Sequence, residues 1–248
     1  MSAAQPAPAN RDPANQDSPP PDPATVHLYR PQNQLGDLLL NVPAIRSIRA
    51  RFPRARLTLI VGRQNAAAVL GQPWADEIRV VDTRNFLGVA RAGLPGALRA
   101  ALGGLMGGAR PDLAIYFTTV SYSRSGAILV RWSGARERVG FDPIWYGERD
   151  RAELTRRIGY PAPGAGEHGV AGAARAAEHG VPPLHQSEVS LTLARAVGAA
   201  ALPEPPYYVA DPSLAARAPE GAVYLHPGAG KLHNRWPAER FAAVAREF

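Results

Sequence analysis

Strand-like and helix-like segments alternate along most of this 248-residue chain, and the alternation predicts an α/β fold built on a parallel sheet. Two further observations agree with that fold. Hydrophobic residues make up 46% of the chain, which is enough for a sizeable core. No stretch approaches the ~20 consecutive apolar residues that a membrane-spanning helix needs. We therefore expect a globular protein that does not cross a membrane.

The predicted elements follow in order after a tail at 1–24, which is rich in Pro, Ala, Asn and Asp and cannot bury apolar area. A short strand pattern at 26–30 leads through a loop into an apolar-periodic helix at 38–52, where Asn41 is placed to cap a first turn that holds Pro43. Further strands are predicted at 56–61, 77–81 and 112–117, and further helices at 64–70 and 94–105. This order predicts repeated βαβ units.

The second half of the chain carries weaker signals. Little can be assigned between 141 and 183, and a helix is then predicted at 187–197. The proline-rich segment 201–206 predicts a linker between a first domain at 25–200 and a second segment at 207–248. That segment begins with a strand at 222–226 and a helix from 237, yet it is shorter than the ~50 residues of a small domain. We expect an incomplete second domain in a C-terminally truncated chain.

Charge and composition narrow the functional classes. The net charge of +7 favours anionic partners, but the basic residues form no dense run and no aromatic RNA-binding signature accompanies them. We therefore expect phosphorylated small molecules or a phosphorylated glycolipid, with peripheral contact to an anionic membrane surface, and no nucleic acid. The absence of cysteine excludes thiolate metal sites, and the histidines lack paired spacing, so no metal is expected. The chain starts without a secretory signal, which favours the cytoplasm.

Gly36 and Asp37 form the first candidate site. They stand between the first strand and the first helix, and ligands of open α/β sheets collect at the carboxyl ends of the strands. Asp37 has two interpretations. It caps the first helix, with Gly36 as a turn residue, or it acts as a base that takes a proton from a substrate hydroxyl.

A glycine loop forms the second candidate site. The sequence Pro-Gly-Ala-Gly-Lys-Leu-His-Asn-Arg-Trp at 227–236 follows a predicted strand and precedes a predicted helix, a geometry that suits phosphate binding. It matches neither the dinucleotide fingerprint nor the P-loop. The alternative is a tight turn without a ligand. Its candidate binding residues are Gly228, Ala229, Gly230, Lys231, Asn234 and Arg235.

Taken together, these segments resemble glycosyltransferase family 9, the ADP-heptose:lipopolysaccharide heptosyltransferases. The first signature is Leu-Gly-Asp-Leu-Leu-Leu at 35–40 with Pro-Ala-Ile-Arg at 43–46, and the second is Pro-Gly-Ala-Gly at 227–230 with Asn-Arg-Trp-Pro at 234–237. The resemblance covers nearly everything after residue 25. One departure is Asn234, because many relatives carry a lysine there, and Lys231 lies three residues earlier.

The resemblance implies a GT-B architecture of two Rossmann-like domains and an inverting transfer of a sugar, heptose in the family, from a nucleotide sugar to a lipopolysaccharide-core acceptor. Asp37 would be the catalytic base, with Gly36 beside it in the substrate site, and the 228–235 loop would hold the donor's diphosphate. No cofactor or metal is implied, since basic groups and a helix terminus offset the leaving diphosphate. The truncated chain is expected to be weak or inactive.

Two alternatives stay open. The chain is a non-catalytic fragment or module that binds a glycolipid or a protein, or it is an unrelated oxidoreductase with a nicotinamide cofactor. The missing glycine fingerprint argues against the oxidoreductase.

Overall fold

We describe the protein from a computed structural model. It describes residues 21–82, 110–118, 123–142, 153–159, 161, 185–202, 219, 221–229 and 235–248. The chain divides into two compact units, Met1–Tyr207 and Tyr208–Phe248. The helix predicted at 94–105 lies outside the described residues, as do residues 1–20 of the tail predicted at 1–24 and most of 143–184.

The first unit is built on a six-stranded sheet in which every described pairing is parallel. The strand order is β3-β2-β1-β4-β5-β6, so β1 lies between β2 and β4 at the centre. In this register Leu28 of β1 pairs with Leu59 on one side and Ile115 on the other. The strands are β1 Thr25–Arg30, β2 Arg56–Gly62, β3 Glu77–Val81, β4 Leu113–Tyr116, β5 Glu137–Phe141 and β6 Arg156–Ile158. The predicted parallel α/β fold is confirmed.

Helices lie against both faces of the sheet. On one face α1 and α4 cover a core that includes Leu28, Ile45 and Leu193. Successive strand residues point to opposite faces, so Tyr29 lies on the other face, in a second cluster with Tyr116 and Leu129 of α3. The helices are α1 Leu35–Arg51, α2 Ala66–Val69, α3 Arg124–Trp132, α4 Gln186–Ala196 and α5 Ala238–Ala245, with a single 3₁₀ turn at Arg63–Asn65.

The first helix begins earlier than predicted. Its first turn starts at Leu35, after Gln34 as N-cap, so Pro43 lies well inside the helix and Asn41 is buried there. The prediction that Asn41 caps the helix was wrong. Gln34 makes no side-chain capping hydrogen bond, so the true start lacks the sequence signal that usually marks one.

Three elements of the first unit were not predicted. Helix α3 follows the N-cap Ser123, whose side chain accepts a hydrogen bond from the Gly126 backbone N–H, and Gly134 leaves the helix at φ +67°. Both are recognisable signals in the sequence. Strands β5 and β6 gave weaker ones, because β6 has only three residues and two of them are exposed arginines.

The second unit contains α5, which is preceded by Pro237 as N-cap and confirms the predicted C-terminal helix. Trp236 packs edge-on against Phe241, with ring centroids 5.0 Å apart. The strand predicted at 222–226 was wrong, since residues 222–229 are not in a strand. An apolar run becomes a strand only when another strand pairs with it, and no described strand does so here.

Candidate functional site

The strand order reverses between β1 and β4, the position where open parallel sheets bind their ligands. At the carboxyl edge of the sheet, β1 ends at Arg30 and β4 ends at Tyr116. Helix α1 starts five residues after β1, so its first turn lies at the same edge. The topology therefore brings Gly36 and Asp37 to the edge that the sequence predicted for them.

The structure shows what Asp37 contacts. It lies in the first turn of α1, where the helix dipole favours a negative charge, but the N-cap position belongs to Gln34. Asp37 Oδ2 instead accepts a hydrogen bond from Arg30 Nη2 at 2.8 Å. Its side chain is 30% exposed. The capping interpretation is therefore not supported, and Asp37 is an ion-paired carboxylate that solvent or a substrate can reach.

Arg30 is a residue that sequence reasoning missed. Only 2% of its side chain is exposed, although it is a guanidinium at the end of an apolar strand. Nη1 donates to Gln32 Oε1 and Nη2 donates to Gln34 Oε1 at 3.4 Å, in addition to the Asp37 bond. Burial lowers the pKa of Arg30 from its ordinary value, and the nearby Asp37 carboxylate opposes that shift. The sequence signal that could have identified Arg30 as a site residue is an arginine at the end of a mainly apolar strand, at the carboxyl edge of the sheet.

The polar network continues from β1 to β4. Gln32 Nε2 donates to the Tyr116 hydroxyl at 3.3 Å, and that hydroxyl donates to the Ser123 backbone oxygen at 3.0 Å. The tyrosine ring reaches this position because Gly126 has no side chain, since a Cβ there would lie 2.2 Å from the hydroxyl oxygen. Gln32 is also fixed from the other side, where Asn65 Nδ2 donates to its backbone oxygen at 2.7 Å. The loop that leads to Asp37 is thus tied to β4 and to the 3₁₀ turn that follows β2.

The glycine loop of the second unit is only partly described. Gly228 is exposed, and Arg235 Nε donates to the Ala229 backbone oxygen at 3.0 Å. This contact joins the described residues on the two sides of the loop, and Arg235 is exposed. Gly230, Lys231 and Asn234 lie outside the described residues, so their binding roles stay predictions. A phosphate role for Gly228, Ala229 and Arg235 also stays a prediction.

The described ranges contain no group of three or more His, Asp or Glu side chains that could hold a metal ion. Among the helices in the part of the chain that the structure describes, none is both long enough and apolar enough to span a bilayer.

Solved structures provide the informative comparison, because no protein-family profile and no curated protein matches this sequence. The Escherichia coli heptosyltransferase WaaC, in a structure with ADP-2-deoxy-2-fluoro heptose, matches 90% of this chain with a TM-score of 0.61 at 15% sequence identity. The fold is that of this heptosyltransferase. A glycosyltransferase family 9 protein from Veillonella parvula matches with a TM-score of 0.59 at 15% identity, also over 90% of the chain.

The E. coli ADP-heptose lipopolysaccharide heptosyltransferase II matches less closely, with a TM-score of 0.52 at 17% identity over 90% of the chain. These likenesses confirm the predicted heptosyltransferase-type α/β fold of the GT-B class. The chain covers 65% of the WaaC chain, 59% of the Veillonella chain and 60% of heptosyltransferase II.

Proposed function

We propose that this chain is the acceptor-side domain, with the opening segment of the donor-side domain, of an inverting glycosyltransferase. It would transfer a sugar, heptose by analogy with its structural neighbours, from a nucleotide diphosphate sugar to a lipopolysaccharide-core-type acceptor. The observation that carries the proposal is the partly exposed, ion-paired carboxylate of Asp37 at the switch point of the sheet. WaaC, which shares this fold, was solved with ADP and with an ADP-heptose analogue.

In the proposed reaction Asp37 takes the proton of an acceptor hydroxyl. As the O–H bond breaks, the hydroxyl oxygen forms a bond to the anomeric carbon, and the bond from that carbon to the diphosphate oxygen breaks on the opposite side. The nucleoside diphosphate leaves with the electron pair, and the configuration of the anomeric carbon inverts. The loop from Gly228 to Gly230, with Lys231, Asn234 and Arg235, would bind the departing diphosphate by backbone N–H groups and positive charge.

No cofactor enters this scheme. The protein would work in the cytoplasm at the inner face of the membrane, where a lipid-linked acceptor is presented. Its net charge of +7 supports contact with an anionic surface.

The test is transfer by the Asp37→Asn variant. We expect kcat to fall by about 10²–10⁴-fold, because the amide cannot accept the proton while the side-chain shape is kept. The parent for every variant is the complete protein encoded by the reading frame that contains this sequence. Transfer would be measured by mass spectrometry with a panel of nucleotide sugars and a deacylated lipopolysaccharide-core acceptor.

Asp22→Asn is the matched control. Asp22 is also ion-paired to an arginine, Arg51, at 2.7 Å, but that pair is on the exposed surface near the last turn of α1. This variant should keep parental activity. Unchanged transfer by Asp37→Asn would contradict the base assignment, and a folded parent that transfers no sugar would favour the binding-module alternative.

A further inference from the structure

The ion pair at the sheet edge assigns a role to the residue behind Asp37. Arg30 is the last residue of β1 and is 2% exposed, so a substrate cannot reach its guanidinium. Its hydrogen bond to Asp37 engages Oδ2 only. Among the described residues Arg30 is the one hydrogen-bond partner of that carboxylate, and the Asp37 side chain is 30% exposed.

We propose that Arg30 is a positioning residue that holds the Asp37 carboxylate by Oδ2 and presents Oδ1 to the acceptor hydroxyl. The inference rests on the proposed transferase function and deepens it. Arg30 does not touch the reacting atoms. It acts by holding the Asp37 carboxylate in one orientation through a charge-assisted hydrogen bond.

The geometry favours orientation over a simple charge effect. A guanidinium is a planar fork whose N–H directions are fixed, so a strand-anchored arginine sets both the distance and the plane of the bonded oxygen. When Oδ1 takes the proton from the hydroxyl, Oδ2 keeps its hydrogen bond to Arg30. The same contact therefore serves the enzyme before and after proton transfer.

The guanidinium is itself held in place. Gln32 and Gln34 accept from it on the loop that precedes α1, and Gln32 is tied to the Tyr116 hydroxyl of β4. Arg30 Nε has no hydrogen-bond partner among the described residues although it is buried, which costs free energy. A buried arginine with an unsatisfied nitrogen destabilises the core relative to an apolar residue, which supports a role for Arg30 beyond packing.

A double-mutant cycle in the same complete protein tests the proposal. The variants are Arg30→Met, Arg30→Lys, Asp37→Asn and the double variant Arg30→Met/Asp37→Asn, with kcat and KM measured for donor and acceptor. We expect Arg30→Met to lower kcat by about 10–10²-fold with KM changed less than about twofold, because a displaced base still allows substrate binding. Arg30→Lys should recover part of the lost kcat, since it restores the charge but not the fork.

The cycle separates positioning from a general structural role. If Arg30 acts through Asp37, Arg30→Met should change kcat less than about twofold in the Asp37→Asn background. Losses that multiply instead, or a fall in kcat/KM that comes from KM alone, would overturn the proposal.

Arg49→Met is the matched control. Arg49 also pairs with an aspartate, Asp76, and binds two backbone oxygens, but it lies in the last turn of α1. It should lose stability and keep parental kcat. If Arg30→Met does not fold, the same cycle with Arg30→Lys decides, and additive losses there also overturn the proposal.

The outcomes distinguish the two proposals. A folded parent without transfer activity overturns the proposed function and the role of Arg30 with it. A parent that transfers sugar and is inactivated by Asp37→Asn, but not slowed by either Arg30 variant, overturns the positioning role alone.

Discussion

His27 is a buried histidine on the face of the sheet opposite α1. It is 6% exposed, its Nδ1 lies 3.3 Å from the Tyr29 hydroxyl, and the neighbouring strands place Arg79, Glu77 and Arg56 around it. Burial lowers the pKa of His27 to about 4, and Arg79 adds to the shift while Glu77 opposes it. The imidazole is therefore neutral in the folded protein at pH 7.

This shift predicts acid sensitivity. In the unfolded chain the histidine has a pKa of about 6.5, so between that value and about 4 the unfolded state binds more protons. The contribution of neutral His27 to the free energy of unfolding is fully present above pH 6.5. It is lost as the pH falls from 6.5 to about 4, by up to roughly 3 kcal/mol. Urea unfolding of the parent at pH 7, 6 and 5 would measure the loss.

The variant His27→Gln should remove much of this slope between pH 7 and 5, because a glutamine does not titrate. His226→Gln is the control, since His226 lies exposed in the other unit and should leave the slope as in the parent. An equal slope in His27→Gln and the parent would contradict the assignment.

Arg30 and Asp37 show the same physics at the site. Arg30 is buried like His27, but it stays charged because the ordinary pKa of a guanidinium lies far above neutral pH, and the Asp37 carboxylate opposes the lowering that burial causes. Burial thus lowers the pKa of both basic groups of this strand, but only the imidazole, whose ordinary pKa is near neutral, loses its charge at pH 7.

Helix α1 contains two residues that are unfavourable in the interior of a helix. Pro43 has no backbone N–H, so the carbonyl oxygen of Leu39 loses its helical partner. Asn41 is fully buried, and its Oδ1 accepts a hydrogen bond from Ser190 Oγ of α4 at 2.5 Å. Packing against α4 therefore stabilises a helix that local propensity alone would not.

The link between α1 and α4 gives a prediction on stability. Ser190→Ala should lower the free energy of unfolding by about 1–3 kcal/mol, because the Asn41 amide is left buried without its partner. Chemical denaturation of the variant and the parent would measure the difference.

Thr192→Ala is the matched control on the same helix. Both hydroxyls donate to the backbone oxygen four residues earlier, but among the described contacts only Ser190 reaches α1. The loss in Thr192→Ala should stay within about 0.5 kcal/mol. Equal losses in the two variants would contradict a role for the interhelical contact.

A glycine-containing C-cap ends helix α4. Gly198 has φ +79° and donates to Arg195 O, and Ala199 donates to Ala194 O, the paired bonds of a Schellman motif. A glycine is needed there because a side chain disfavours this backbone conformation.

The charge of the whole chain predicts how it behaves near membranes. With 28 Lys and Arg against 21 Asp and Glu, the net charge is +7. We expect the protein to bind vesicles of anionic lipid at about 0.05 M salt and to dissociate at about 0.5 M. At the higher salt concentration the attraction between exposed charges is screened beyond a distance of a few ångströms.

Co-sedimentation with vesicles measures this binding, and vesicles of zwitterionic lipid are the control. Equal binding to both kinds of vesicle, or binding that salt does not weaken, would show an apolar contact and contradict the electrostatic prediction.

Local periodicity was enough to predict most of the first unit. Short, mainly apolar runs bounded by turn residues gave β1 to β4 within a residue or two, and β3 was predicted at its observed bounds, Glu77–Val81. The order of strand and helix then predicts a parallel sheet, which places Asp37 at its carboxyl edge from the sequence alone. Weak or absent local signals explain the missed β5 and β6.

Tertiary structure decided what those elements do together. The pairing of β1 with β4, the bond from Gln32 to Tyr116 and the bond from Ser190 to Asn41 join residues that are 84 or more positions apart. Arg30 reaches Asp37 only because the strand end and the first turn of α1 meet at one edge. The spacing of apolar residues reveals strands by a period of two and helices by a period of 3.6. Contacts between distant segments depend on packing, which leaves no period along the chain, so the sequence alone does not predict them.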